Sequence, residues 1–272
     1  MNWISRIVKC FVVLGVFAAG IFAGGCSQSP AEISDEIARM DKGLAVILPG
    51  IEGKGISSES IRAGLREGRV ELRIETLEWG VSLLEGGLAI NQMNVARNRE
   101  QAAKLALRLY EYQKAFPDRP VFLVGHSGGS GVAVFALEAL AKLPDAEPIG
   151  GAILIASSLS AGYDLIPALK QTRYGMVTVS NPFDLAALGL GTAAMGNVDG
   201  TRTASAGRTG FTMRHAKLFK MPVTLGMLRG IRITPHTAGT TTGFVREYLA
   251  PWILRTPWPP PSMTANLKRH IH

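Results

Sequence analysis

Cysteine is the residue that this chain nearly lacks. Its 272 residues include two cysteines, Cys10 and Cys26, and both lie close to the N-terminus. The body of the chain beyond them has no thiol, which excludes disulfide bonds within it and metal sites built on thiolates. Apolar packing must therefore hold the fold together. With 47% hydrophobic and 18% charged residues, the composition is sufficient for one ordinary α/β domain.

Clusters of positive charge with interleaved aromatic residues are also missing. The formal net charge is +8, and Arg6 and Lys9 near the N-terminus supply two of the positive charges. The remaining basic residues are spread along the chain, as in the stretch "NVARNREQAAKLALRLYEYQK". Solvated helix faces explain this spacing better than nucleic-acid binding does, so we expect no nucleic-acid partner.

The first 25 residues have the layout of a secretory signal. The segment "MNWISRIVK" carries two basic residues and no acidic one, and the apolar run from Cys10 to Gly25 follows it. That run is shorter than the roughly 20 residues that a helix needs to span a bilayer. A signal peptide over residues 1–25 is therefore favoured over a permanent membrane anchor.

The residues around Cys26 resemble the lipobox of bacterial lipoproteins. Small residues come directly before Cys26, although Ala23 stands where that family usually has a larger aliphatic side chain. The resemblance implies that Cys26 becomes the lipidated first residue of an exported, membrane-anchored protein. Because Ser27 follows, it also implies the outer membrane of a bacterial cell envelope, with the protein facing the periplasm. Plain cleavage and an uncleaved anchor remain the alternatives.

Beyond a polar linker at residues 26–42, patterns typical of strands and helices alternate. The run "LAVIL" has no alternation and predicts a strand buried on both faces, whereas "VELRIETLEWG" alternates and predicts a strand near a sheet edge. Strands separated by helices predict an α/β fold over residues 43–256, with a mostly parallel sheet and helices on both faces. The Pro-rich tail at 257–272 is expected to be disordered. The other predicted strands are "VFLVG", "GAILIA", "YGMVTVS" and "IRIT", and the longest predicted helices are "NQMNVARNREQAAKLALRLYEYQKAF" and "TTGFVREYLAPWIL".

The stretch "VFLVGHSGGSG" contains the motif GxSxG at a predicted junction between strand and helix. Gly125, Ser127 and Gly129 occupy its fixed positions. In a nucleophile elbow, the serine sits on a strained turn that exposes its hydroxyl above the sheet. Such a motif can arise by chance in a chain with 31 glycines, and a glycine-rich turn can also hold a phosphate. The position between an apolar run and a helix favours the elbow and a nucleophilic role for Ser127.

A serine nucleophile needs a histidine base. His126 lies within the elbow and is expected to point away from Ser127. His236 follows the predicted strand "IRIT", which places it at the carboxyl edge of the sheet, whereas His215 follows no predicted strand. This placement favours His236 as the base and a surface role for His215. The two other histidines, His270 and His272, belong to the tail.

Two aspartates satisfy the chain order of serine, acid and histidine. Asp184 comes just after the predicted strand "YGMVTVS", and Asp164 comes after "GAILIA". The acid follows the later strand more often in such folds, which favours Asp184 and leaves Asp164 as a helix N-cap.

The chain from about Leu44 to Leu254 resembles the α/β-hydrolase superfamily, and in particular a group of uncharacterised bacterial serine hydrolases. The resemblance rests on "LPGIEG", "VFLVGHSGGSG", "NPFDLAALGLGT", "NVDG" and "HTAGTTTGFVREYLAPWIL". It implies a catalytic triad, an oxyanion hole formed by two backbone amides, and no metal or organic cofactor. The chain departs from many members by having Pro49 and Gly50 in place of His-Gly, and nothing before Leu44 is typical of the leading strands. The implied triad is Ser127, Asp184 and His236, and the implied oxyanion donors are the amides of Gly128 and Ile51.

These features predict a serine hydrolase, esterase-like or lipase-like, that cleaves a carboxylic ester, lipid or thioester through an acyl-enzyme. An acyltransferase would use the same residues, and a non-catalytic envelope-anchored binding module could keep the same fold. The segment 190–213 lies between the predicted acid and base and has little periodic pattern. It is expected to be a lid, a substrate wall or a plain surface loop.

Overall fold

The computed structural model describes residues 38–82, 85–184, 196–227 and 234–268, without the side chains of 265–268. The predicted signal peptide, Cys26 and most of the predicted linker lie outside the described residues, as do His270 and His272. Within these ranges, no helix combines the length and the apolar character that crossing a bilayer requires.

In the part of the chain that the structure describes, six parallel strands form a single sheet with the order β2-β1-β3-β4-β5-β6. The first strand lies inside the sheet, so the chain runs outward to one edge, returns past β1, and then proceeds strand by strand to the other edge. The strands are β1 (Leu44–Leu48), β2 (Arg73–Thr76), β3 (Val121–His126), β4 (Ile149–Ile155), β5 (Thr172–Ser180) and β6 (Leu218–Pro222).

Helices cover both faces of the sheet, which is why β1 is apolar at every position. Leu44, Val46 and Leu48 of β1 point into the core beneath α3 and α4, whereas Ala45 and Ile47 point into the core beneath α1 and the C-terminal helices. The α/β fold with a parallel sheet and helices on both faces is therefore confirmed. The helices are α1 (Ile56–Glu67), α2 (Gly87–Met93), α3 (Val95–Ala115), α4 (Gly128–Leu140), α5 (Ile166–Lys170), α6 (Ala206–Thr209), α7 (Thr242–Phe244), α8 (Ala250–Leu254) and α9 (Pro261–Lys268).

Strand β2 lies at one edge of the sheet, as its alternating pattern predicted. Two arginines of α1 stabilise this edge by donating to backbone carbonyls. Arg62 donates to the carbonyl of Ile74 at 2.6 Å, and Arg66 donates to the carbonyl of Leu72 at 2.9 Å. Polar groups that an edge strand leaves without a neighbouring strand are thereby partly satisfied.

Two predicted helices differ in detail from the observed ones. The helix expected over residues 91–116 is broken at Asn94, where α2 ends and where the Asn94 side chain accepts a hydrogen bond from the Arg97 amide at 3.0 Å. Asparagine favours such caps because its short side chain competes with the helical backbone. The stretch "SSESIRAGLREG" also predicts a helix, with Ser57 or Ser58 as its N-cap, but α1 begins at Ile56 with Gly55 as its N-cap.

The last strand of the sheet was not predicted. Strand β6 is the short run "LFKMP", which has a lysine at its centre and a proline at its end and packs against β5 alone among the described strands. Such a one-sided strand has too few apolar residues to be recognised by pattern. The strand expected at "IRIT" falls mostly on residues outside the described ranges. The helix expected at residues 241–254 consists of α7, a π-helical turn (Val245–Leu249) and α8.

Trp258, Pro260 and Met263 are buried against the domain, which differs from the disorder expected over residues 257–272. Trp258 is only 8% exposed, and its indole lies against the rings of Trp252 and Phe122. Helix α9 follows it. The apolar area of one buried tryptophan is large enough to hold a proline-rich segment in place, so composition alone was a poor guide here.

Candidate active site

Ser127 lies on the sharp turn between β3 and α4, with a positive φ of 50° and a ψ of −120°. A positive φ is uncommon for a residue with a side chain and marks local strain. The glycines of the motif allow this turn. A Cβ at Gly125 would lie 2.6 Å from the Cα of Ser130, and a Cβ at Gly129 would collide with the carbonyl oxygens at the end of β1. The local geometry is that of a nucleophile elbow.

Asp184 and His236 contact each other at the carboxyl edge of the sheet. The Nδ1 atom of His236 lies 2.5 Å from Oδ2 of Asp184, and Asp184 is only 2% exposed. Asp184 follows β5, and His236 lies in the first turn of a short 3₁₀ helix that precedes α7. Because Nδ1 is bound to the carboxylate, the Nε2 atom is left as the ring nitrogen that can accept a proton from another group.

Asn181 ties these two loops together, and nothing in the sequence pattern had singled it out. Its Nδ2 donates to the carbonyl of Pro235 at 2.6 Å, and its Oδ1 accepts from the amide of Phe183 at 3.1 Å. One side chain thus fixes the turn that carries Asp184 and the backbone next to His236. Its position directly after a buried strand was the only available signal.

The histidine of the elbow points into the protein and packs against the candidate base. His126 is 1% exposed, and its ring centroid lies 5.0 Å from that of His236. This contact places His236 next to the strand end that carries Ser127. The Nδ1 atom of His126 lies 3.4 Å from a carboxylate oxygen of Glu52, a second residue that the sequence pattern had not singled out.

The loop after β1 lies directly against the start of α4. The side chain of Ile51 is so close to Gly128 that a Cβ there would lie 2.7 Å from Ile51 Cγ2. The loop is held by the indole of Trp79, which donates to the Pro49 carbonyl at 2.8 Å, and by Asn91, which donates to the Ile51 carbonyl at 2.9 Å. The amide of Gly128 opens α4, where no earlier residue offers an intrahelical acceptor. The two residues implied as oxyanion donors are therefore neighbours in space.

The two rival candidates lie elsewhere and have other roles. Asp164 is exposed, and its Oδ1 accepts from the amide of Ile166 at 2.9 Å. It stands one residue before Leu165, the N-cap of α5, so it supports the start of the helix without being the predicted N-cap itself. His215 is exposed and accepts from the Lys217 amide at 3.1 Å. Because His215 comes directly before the parallel strand β6, it lies at the amino edge of the sheet, opposite to the edge that carries Ser127.

The described part of the segment 190–213 is packed onto the loop after β4. The Val198 amide donates to the Ser158 carbonyl at 3.0 Å, and the Ala206 amide donates to the Leu159 carbonyl at 2.8 Å. Val198 is fully buried and lies so close to Gly131 of α4 that a Cβ there would collide with it. This part of the segment therefore packs beside the start of α4, and the alternatives of lid, substrate wall and surface loop stay open. Residues 190–195 lie outside the described ranges.

No protein-family model and no curated protein matches this chain. Among solved structures, lipase B of Aspergillus fumigatus is similar over 84% of this chain and 56% of its own, with 11% identity and a TM-score of 0.49. Est1E from Butyrivibrio proteoclasticus is similar over 78% of this chain and 89% of its own, with 14% identity and a TM-score of 0.37. The NocB thioesterase domain of the nocardicin cluster is similar over 73% of this chain and 91% of its own, with 15% identity and a TM-score of 0.36.

The fold assignment rests on the sheet and the elbow of the chain itself. The six parallel strands, the strand order and the positive φ of Ser127 between β3 and α4 all belong to one architecture. The described part of this chain has the α/β-hydrolase fold.

Proposed function

We propose that this protein is a serine hydrolase that cleaves a carboxylic ester, lipid ester or thioester through an acyl-enzyme at Ser127. The observation that carries the proposal is the buried contact of Asp184 with Nδ1 of His236, formed beside the strained turn that carries Ser127. A carboxylate, an imidazole and a serine on an elbow are the three groups that such chemistry requires.

In the proposed reaction, the Ser127 hydroxyl attacks the carbonyl carbon while Nε2 of His236 takes its proton. Asp184 holds the imidazole in the required tautomer and stabilises the imidazolium that forms. The amides of Gly128 and Ile51 are the proposed donors to the tetrahedral oxyanion, aided by the positive end of α4. The proton on His236 then passes to the leaving group. Water, activated by the same nitrogen, releases the acid and frees Ser127.

A fluorophosphonate probe provides the direct test, because it reacts with serines that an adjacent base activates. We expect the folded wild-type protein to be labelled at Ser127 and at no other serine. Peptide mapping by mass spectrometry identifies the modified residue, and Ser130→Ala is a matched control three residues away. Labelling that persists in Ser127→Ala, or a folded wild-type protein that takes up no probe, would contradict the proposal and favour a binding module on a hydrolase fold.

We also propose that the mature protein is anchored to a bacterial outer membrane through a diacylglyceryl group on Cys26, facing the periplasm. Only the lipobox-like sequence supports this proposal, because Cys26 lies outside the described residues. We expect the wild-type protein to partition with membranes and Cys26→Ser to lose the acyl chains. Cys10→Ser is the matched control, because that residue would leave with the signal peptide. An unmodified mature N-terminus at another residue in the intact-mass spectrum would exclude the anchor and leave the hydrolase proposal intact.

A further inference from the structure

Glu52 brings a carboxylate into the candidate site from the loop that follows β1. It is the residue next to Ile51, a proposed oxyanion donor. Its side chain folds back over Gly50, so that a Cβ at Gly50 would collide with the carboxylate. One oxygen then lies 3.4 Å from Nδ1 of His126, the residue that precedes Ser127. The carboxylate therefore lies over Gly50 and beside His126, while part of the side chain stays open to solvent.

The carboxylate is ionised at neutral pH. Burial favours the neutral acid, but His126 and, from further away, His236 favour the anion, and together they hold the pKa of Glu52 below its usual value. The ring of His126 in turn packs against that of His236, with 5.0 Å between their centroids, so Glu52 and the candidate base contact the same ring. A substrate bound between Ser127 and His236 would experience the same charge.

No lysine or arginine within the described ranges forms an ion pair with Glu52. Lys54, on the same loop, is exposed to solvent and makes no such contact there. The side chain paired with Glu52 is His126, whose ring is 1% exposed, whereas the Glu52 side chain is 38% exposed. Glu52 is thus the accessible member of the pair, and an incoming substrate meets the carboxylate before the imidazole.

We propose that Glu52 makes this hydrolase selective for esters that carry a positive charge near the scissile bond and disfavours anionic ones. This inference rests on the proposed function. The physical reason is that a fixed carboxylate in a partly desolvated site attracts a cation and repels an anion more strongly than it could in water. It also opposes the negative charge that develops on the oxyanion, and a cationic substituent on the substrate would offset that repulsion.

The test uses three 4-nitrophenyl esters that differ in charge at similar size. They are the cationic 4-(trimethylammonio)butanoate, its neutral carbon isostere 5,5-dimethylhexanoate, and the anionic hydrogen glutarate. The measured quantity is Ser127-dependent kcat/KM divided by the spontaneous hydrolysis rate of each ester. We expect the wild-type protein to prefer the cation over its neutral isostere by about tenfold, with the anion the poorest substrate.

The variant Glu52→Gln should bring the ratio of cation to isostere close to one, since glutamine keeps the shape and removes the charge. Glu147→Gln is the matched control: Glu147 is exposed and precedes β4, at the opposite edge of the sheet, so its loss should leave the ratio unchanged. A wild-type ratio near one, or a ratio that Glu52→Gln does not change, would overturn the selectivity while the proposed function stands. Failure to turn over any of the three esters in a Ser127-dependent manner would overturn the proposed function, and the selectivity with it.

Discussion

His236→Ala should reduce turnover to the background of Ser127→Ala, a loss on the order of 10⁶-fold for an ester that the wild-type protein cleaves. The members of a triad act as a unit, because a serine without its base is a poor nucleophile at neutral pH. The residual rate of both variants should be similar, and the double variant should be no slower than either. Steady-state kinetics with a 4-nitrophenyl ester measures the loss, and circular dichroism checks that the variants fold.

The matched control is His215→Ala, which removes the same side chain from the amino edge of the sheet. His215 is exposed, and its ring accepts a hydrogen bond from the nearby Lys217 amide. We therefore expect wild-type turnover from this variant. Full activity in His236→Ala would contradict the assignment of the base, whatever the result for His215.

Asp184→Asn should cost about 10⁴-fold in turnover while the protein stays folded. The amide of asparagine can donate to Nδ1, which stabilises the tautomer that carries its proton on Nε2 and leaves no nitrogen to accept the proton of Ser127. Asparagine is close in size to aspartate, so the buried position next to His236 is not left empty. The loss is measured as the ratio of wild-type to variant kcat/KM, and the rate of fluorophosphonate labelling of the same variant is measured beside it.

The control for this variant is Asp164→Asn. Asp164 is exposed, and its Oδ1 accepts from the first amide of α5, a role that asparagine fills nearly as well, so we expect almost no change in rate or stability. Reversed results for the two aspartates would mean that the acid follows β4, and the assignment of the second half of the site would be wrong.

The sequence by itself determined the buried strands and the elbow. An unbroken apolar run such as "LAVIL" predicts a strand that is covered on both faces. The glycines around Ser127 are needed because side chains at their positions would collide with the neighbouring backbone. The preference for His236 over His215 also came from local order along the chain, and the structure places these two residues at opposite edges of the sheet. In each case the signal lies within a few neighbouring residues.

The tertiary structure decided what depends on contacts between distant parts of the chain. Strand β6 is too short and polar to be recognised alone and gains its order from pairing with β5. Trp258 is buried because its indole packs against the rings of Trp252 and of Phe122, which lies far away along the chain. The contact of Asp184 with His236 and the turn of the Glu52 side chain toward His126 depend on where loops from different strands meet. No local sequence pattern predicts these contacts between loops, because the order of the strands across the sheet determines which loops become neighbours.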